Sequence, residues 1–254
     1  MDVRPRQTAW TGCEFGSFSD VGKVRRRNED ALYADPGGRY AVLADGMGGY
    51  RGGDVAAEMA VTVVRSALDE GLANTPDRDE VARLLFDATR DANTAIYKAG
   101  QADPELAGMG CTLVMATFLE GEVVSAHVGD SRLYRLHETR LTLLTRDHTM
   151  LQEQVDGGII GAEEARAYTY RGLLTRGLGV ADEVLPDLGI HDAAAGDVFL
   201  LCSDGLTDML DDQCIAAIMA RKAAVGDIAT VLVQHANDQG GRDNVSVIVG
   251  RLVV

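Results

Sequence analysis

Positive charge is scarce in this chain: Lys plus Arg number 24 against 39 Asp plus Glu, a formal net charge of −15. That deficit argues against a nucleic-acid binder that works by neutralising phosphates, which needs a basic face. It argues equally against a polybasic membrane-surface binder. Long apolar runs are missing too. No window approaches the ~18 consecutive apolar residues of a membrane span, and the opening MDVRPRQTAW lacks the apolar stretch of a signal peptide. Cysteine is sparse, and Cys13, Cys111, Cys202 and Cys214 form no CxxC pair, so buried free thiols are expected rather than a zinc site. Proline is only 5 of 254 and scattered, with no linker, repeat or low-complexity tract. These absences lead to the expectation of a cytoplasmic globular chain, a single domain over residues 1–254 that buries enough surface to need no staples.

Several apolar patterns are present. Residues 39–44 read as a buried strand running into a glycine-rich turn. Residues 54–70 and 79–99 carry apolar positions at helical spacing, Val55, Met59, Val63 and Ala67 in the first and Val81, Leu84, Leu85, Ala88, Ala92 and Ile96 in the second. Short β-prone segments follow at 111–119, 122–129, 132–136 and 141–145, separated by turns, and predict an antiparallel meander. Residues 147–180 read as helical stretches broken by Gly157, Gly158 and Gly161. A buried strand is expected at 197–202, a helix at 226–239 and a final strand in NVSVIVGRLVV. Strands arrive in clusters with helix pairs between them, which favours α+β with antiparallel sheets over a doubly wound fold.

The placement of the acids is more informative than their number. Asp45 follows one apolar strand and precedes glycines, Asp130 and Asp204 end two others, Asp243 opens the last, and Asp30 starts another. Aspartate and glycine favour turns in any protein. Carboxylates beside glycines at several strand ends also suit hard cations held by oxygen ligands. One basic run, Val24-Arg25-Arg26-Arg27-Asn28-Glu29-Asp30, stands out in the acidic background. Alone it is a solvated loop; beside metal-holding carboxylates, an arginine supplies bidentate phosphate recognition.

Five ordered patches then resemble the PPM family, the Mg²⁺/Mn²⁺-dependent (type 2C) protein serine/threonine phosphatases, in its compact bacterial form. They are Ser19–Asp30 (SDVGKVRRRNED), Ala44–Gly53 (ADGMGGYRGG), Gly108–Leu113 (GMGCTL) with Val128–Arg132 (VGDSR), Leu201–Asp208 (LCSDGLTD) and Gly241–Val245 (GRDNV), spanning roughly 15–250. The resemblance implies an αββα sandwich with two central antiparallel sheets and two Mn²⁺ or Mg²⁺ ions. Asp45 then matches the bridging ligand and Gly46 the carbonyl ligand of the second ion. Asp204 and Asp243 match the other carboxylates of the first ion, and Glu29 and Asp30 the acidic pair of the second. Arg25 matches the phosphate-binding arginine, in preference to Arg26 and Arg27. Asp130 and Asp208, with Asp204 shared, match a third, weaker ion. Residues 148–180 correspond to a mobile flap.

The implied activity is hydrolysis of phosphoserine and phosphothreonine on proteins by direct attack of a water bridging the two ions, opposing a Hanks-type Ser/Thr kinase. No phosphocysteine is expected, because no cysteine opens a Cys-x₅-Arg loop. Met47 and Tyr50 stand where relatives often carry histidine. Met47 cannot donate a proton, so a water on the third ion is the expected acid. Kinase or dehydrogenase chemistry is disfavoured, because Gly46 and Gly48 would need glycine where Arg51 stands. A non-catalytic scaffold is disfavoured because every matched acid is present. A monomer acting on phosphoproteins is expected, with a nucleotide-ester hydrolase as the competing reading.

Overall fold

The structure is a computed structural model that describes residues 12–47, 52–73, 77–161, 164–165 and 173–253. Its organisation follows from strands that are apolar on both faces. In β3 (Tyr40–Met47), Ala41 and Leu43 point into one core while Tyr40, Val42 and Ala44 point into another. The same alternation divides β5 (Leu113–Leu119) and β10 (Val198–Cys202), with Phe118, Phe199 and Leu201 on the inner side. Such strands need cover on both faces, and two packed sheets flanked by helices supply it.

One sheet runs in the order β2 (Asp30–Ala34), β3, β5, β6 (Glu122–Val128), β9 (Asp187–Asp192), with the short β4 (Gly110–Cys111) pairing β3. The other runs β1 (Cys13–Asp20), β11 (Val245–Leu252), β10, β7 (Arg132–His137), β8 (Arg140–Leu143). Every pairing is antiparallel. Phe118 lies between the sheets, edge-on to Phe15 at 5.5 Å and to Phe199 at 5.3 Å. Truncating such a ring typically costs about 3–5 kcal/mol.

Helices α1 (Gly53–Gly71) and α2 (Arg78–Ala102) cover the first sheet with the buried stripes Ala56, Ala60, Val64, Leu68 and Val81, Leu85, Ala88, Ala92, Ile96. Asp77 caps α2 by accepting from the Asp79 and Glu80 amides. The second sheet is covered by α4 (Asp204–Thr207), α5 (Asp212–Met219) and α6 (Val225–Asp238). Another helix, α3 (Met150–Asp156), opens the expected flap. Three cysteines are buried and all four are free. Among the described residues no helix is long and apolar enough to cross a membrane.

The predicted meander requires correction. β5–β6 and β7–β8 are both antiparallel hairpins, but they belong to different sheets. The chain switches sheets at Gly129–Ser131, where Gly129 takes φ +101°. Short strands joined by tight turns carry no pattern that says which sheet they join. Residues 173–180 are also not helical; Leu174 and Leu178 form isolated bridges to Thr149 and Cys111. The rest of the expected helical stretch, 162–163 and 166–172, lies outside the described residues, as do Tyr50 and its neighbours 48–51.

Candidate functional site

Antiparallel pairing brings the acid-bearing strand ends to one edge of the sandwich. Asp30 at the start of β2 lies directly opposite Asp45 near the end of β3. Asp130 follows the end of β6, Asp204 follows β10, and Asp243 precedes β11. Above this floor opens a cleft of about 820 Å³ lined by Arg25, Arg26, Arg27, Glu29, Asp45, Gly46, Met47, Asp130, Asp204 and Asp243, with Leu173, Arg176 and Val180 on the flap side. Of the acids singled out in the sequence, Asp208 is the outlying one. It is exposed at the end of α4, yet near enough to raise Asp130 and Asp204.

The floor is electrostatically unfinished. The Asp45 carboxyl lies within hydrogen-bonding reach of both Asp30 and Asp204. Burial, then the neighbouring carboxylates, push Asp45 and Asp204 well above the ordinary aspartate range. Burial first, followed by like charges, also raises Asp30 and Asp130 to about 6. Glu29 is raised by burial and by Asp54. Ser203 Oγ donates to Asp30 Oδ2 at 2.9 Å, while Asp30 Oδ1 is buried and receives no hydrogen bond. At the rim, Arg25 Nη2 donates to Asp243 Oδ2 at 2.7 Å; that hydrogen bond and the Asp243 charge raise the guanidinium further. An all-oxygen donor set with excess negative charge and an orphaned buried oxygen fits hard divalent cations.

Local packing explains two neighbours. A Cβ on Gly46 would run into the carbonyls of Gly53 and Glu29. Met47 reaches under the flap root, its Cε against Gly110 and Gly177, so this side chain packs rather than reacts.

Sequence reasoning missed the residues that hold the acids in place. Buried Asn244 accepts from the Glu29 amide at 2.8 Å and donates to the Val21 and Arg27 carbonyls at 3.0 and 2.8 Å. It thereby fixes the loop that carries Arg25. Thr112 Oγ1 accepts from the Asp45 amide at 3.0 Å and meets Ser131 Oγ at 2.7 Å, tying β3 to the Asp130 turn. Both residues lie in quoted motif patches, but their pairing spans chain separations that local pattern does not register.

A second titratable cluster lies at the flap root. His127, His148 and Asp187 bring three ligand-type atoms within 4.8 Å of one another, the one such trio of His, Cys, Asp or Glu among the described residues. Its chemistry differs from that of the acid floor. The imidazoles stack at 4.6 Å rather than aiming at a common point. His127 Nε2 donates to the Arg146 carbonyl at 2.8 Å, and His148 Nδ1 accepts from the Gly129 amide at 3.1 Å. His148 Nε2 faces Asp187 Oδ2 at 3.3 Å, off the line of a good hydrogen bond. Arg176, on the flap side of the cleft, donates to Asp187 Oδ1 at 2.7 Å and to the Leu185 carbonyl at 3.1 Å, which ties it to the flap root. Burial, then His127, lowers His148 to about 4, so it is neutral near pH 7.

Comparison with known proteins agrees with this arrangement. A family model for protein phosphatase 2C matches residues 23–241. The serine/threonine protein phosphatase PstP of Mycobacterium tuberculosis is 39% identical over 239 residues, which cover 94% of this chain and 45% of PstP; the chain thus spans about half the length of that relative. The serine/threonine phosphatase stp of Listeria monocytogenes is 36% identical over 234 residues, covering 91% of this chain and 92% of the relative. A crystal structure of the PstP catalytic domain in complex with two manganese ions has a TM-score of 0.83 at 39% identity, covering 95% of this chain and 99% of that one. Layer order, acid-bearing strand ends and matched length together place the chain in the protein phosphatase 2C family.

Proposed function

We propose that residues 1–254 form one phosphatase domain, a cytoplasmic monomer that hydrolyses phosphoserine and phosphothreonine on proteins modified by a Hanks-type Ser/Thr kinase. The observation that carries this reading is the convergence of Asp30, Asp45, Asp130, Asp204 and Asp243 beneath a cleft whose rim holds Arg25. The floor would hold two Mn²⁺ or Mg²⁺ ions: Asp45 would serve both, Asp204 and Asp243 would supply the other carboxylates of one, and the Gly46 carbonyl, Glu29 and Asp30 would serve the other. Asp130 and Asp208, with Asp204 shared, would hold a third, weaker ion. Bound divalent ions supply Lewis acidity and make hydroxide available from water near neutral pH.

The chain's own residues then bind and orient. Arg25 holds phosphoryl oxygens and offsets charge developing on them. Its contact with Asp243 aims the guanidinium at the floor, and Asn244 keeps its loop from drifting. Among the described residues no histidine lines the cleft, and Met47 is packed against glycines. The proton for the leaving seryl or threonyl oxygen therefore comes from water in the cleft rather than from a side chain. The test is hydrolysis of a phosphothreonine protein with and without Mn²⁺, against a nucleotide at equal concentration, with Asp45→Asn as control. Metal-dependent release of phosphate from the protein, abolished in the variant, supports the reading. Preferred nucleotide hydrolysis, or equal activity in the variant, contradicts it.

A further inference from the structure

The cleft has two unlike rims. Arg25 is committed to Asp243, but Arg26 and Arg27 line the same cleft, are exposed, and among the described residues make no ion pair. Their backbone is not loose. The Arg27 carbonyl accepts from buried Asn244 at 2.8 Å, and the Lys23 amide donates to the Gly241 carbonyl at 2.7 Å. The flap side of the cleft carries Leu173 and Val180, each 62% exposed, and Arg176, which is paired with Asp187. In a chain of net charge −15, two exposed guanidinium groups beside the phosphate-binding arginine, neither in an ion pair though Arg27 partly offsets the Glu29 charge, are a local reversal of sign. Adjacent Cα atoms are about 3.8 Å apart and an extended peptide advances about 3.3 Å per residue. A second anion reaching Arg26 or Arg27 would then sit about one to three residues from the phosphorylated one.

We propose that Arg26 and Arg27 are specificity-determining residues that select phosphorylated segments carrying a second anionic side chain within about three residues of the scissile phosphate. The proposal rests on the phosphatase reading above. The shared chemistry is an oxyanion held by guanidinium, from either a carboxylate or a second phosphate. Arg25 engages the phosphate that leaves; Arg26 and Arg27 engage the flank and thereby lower KM.

The test is kcat/KM on matched phosphothreonine peptides whose flanking residues are alanine, glutamate, phosphoserine or lysine. Each peptide is compared within one enzyme, so that any general loss of activity cancels. The glutamate-to-alanine ratio is expected at about three- to tenfold, carried by KM and shrinking as salt rises. A second phosphate equals or exceeds glutamate; if it alone shows the preference, phosphate is the source. The ratio falls toward one in Arg26→Ala/Arg27→Ala, survives in part in Arg26→Lys/Arg27→Lys, and turns toward lysine peptides in Arg26→Glu/Arg27→Glu. A wild-type ratio of one for both anionic flanks, or a ratio unchanged in the alanine variant, overturns the proposal. If no phosphopeptide is hydrolysed while p-nitrophenyl phosphate is, the protein-phosphatase reading falls with it, a result distinct from loss of flank preference alone.

Discussion

The acid floor and the flap-root cluster are both knots of titratable side chains, yet they are built on opposite terms. At the floor, carboxylates crowd together, Asp30 Oδ1 has no donor, and burial raises four aspartates. At the flap root, Asp187 meets Arg176 and His148, and each imidazole has a backbone partner. There burial works against the Asp187 charge, but the hydrogen bond from Arg176 and the close approach of His148 outweigh it and hold the carboxyl below its usual range. One cluster is short of positive charge and awaits cations; the other is close to self-neutral and joins pieces of backbone. Chemistry resides where polar groups are left under-satisfied, and architecture where they are paired.

Breaking each cluster should therefore produce different losses. After Asp45→Asn, the largest is at the cleft rim. Arg25→Ala should lower kcat/KM on a phosphothreonine peptide by roughly a hundredfold or more while leaving the melting temperature close to wild type, with Arg25→Lys recovering only part. Equal activity in Arg25→Ala would move phosphate binding elsewhere. Asn244→Ala should lose about 1–3 kcal/mol of stability through its unpaired backbone partners and about tenfold in activity through the displaced Arg25 loop, read by denaturant melts and kinetics together. Smallest in activity is His148→Ala. It removes the acceptor for the Gly129 amide and should lower the melting temperature by about 3–6 °C with Mn²⁺ dependence retained. Loss of Mn²⁺ dependence in that variant would erase the distinction between the two clusters.

Much of this was legible in the sequence because it is local. An aspartate at either end of an apolar run marks a strand end, and the five ordered motif patches that contain such aspartates carried the fold, the acids and Arg25. Helices at 54–70 and 79–99 were readable from their periodicity and appear as Gly53–Gly71 and Arg78–Ala102. What was not legible depends on distant chain segments meeting. Asn244 acts on residues 21–29, Thr112 on Ser131, and His148 on Gly129, none of them announced by spacing. The change of sheet after β6 was hidden because β6 and β7 follow one another across a short glycine turn, just as hairpin partners do. β9 escaped notice as an edge strand with alternating half-exposed residues, and β1 for the same mixed pattern.

The most direct test of the central claim, that the acid floor is a cation site, needs no substrate. Asp30 and Asp130 are raised from 3.8 to about 6 in the fold. A carboxyl raised in this way favours the fold while protonated; the contribution is full below 3.8 and is lost as pH rises through about 6. Melting temperature should be recorded from pH 5 to 8 on metal-stripped protein, with and without Mn²⁺. The expected result is a fall across that range without metal and a gain with Mn²⁺ that is largest at the alkaline end. A flat profile with no gain from Mn²⁺ at any pH would contradict the account.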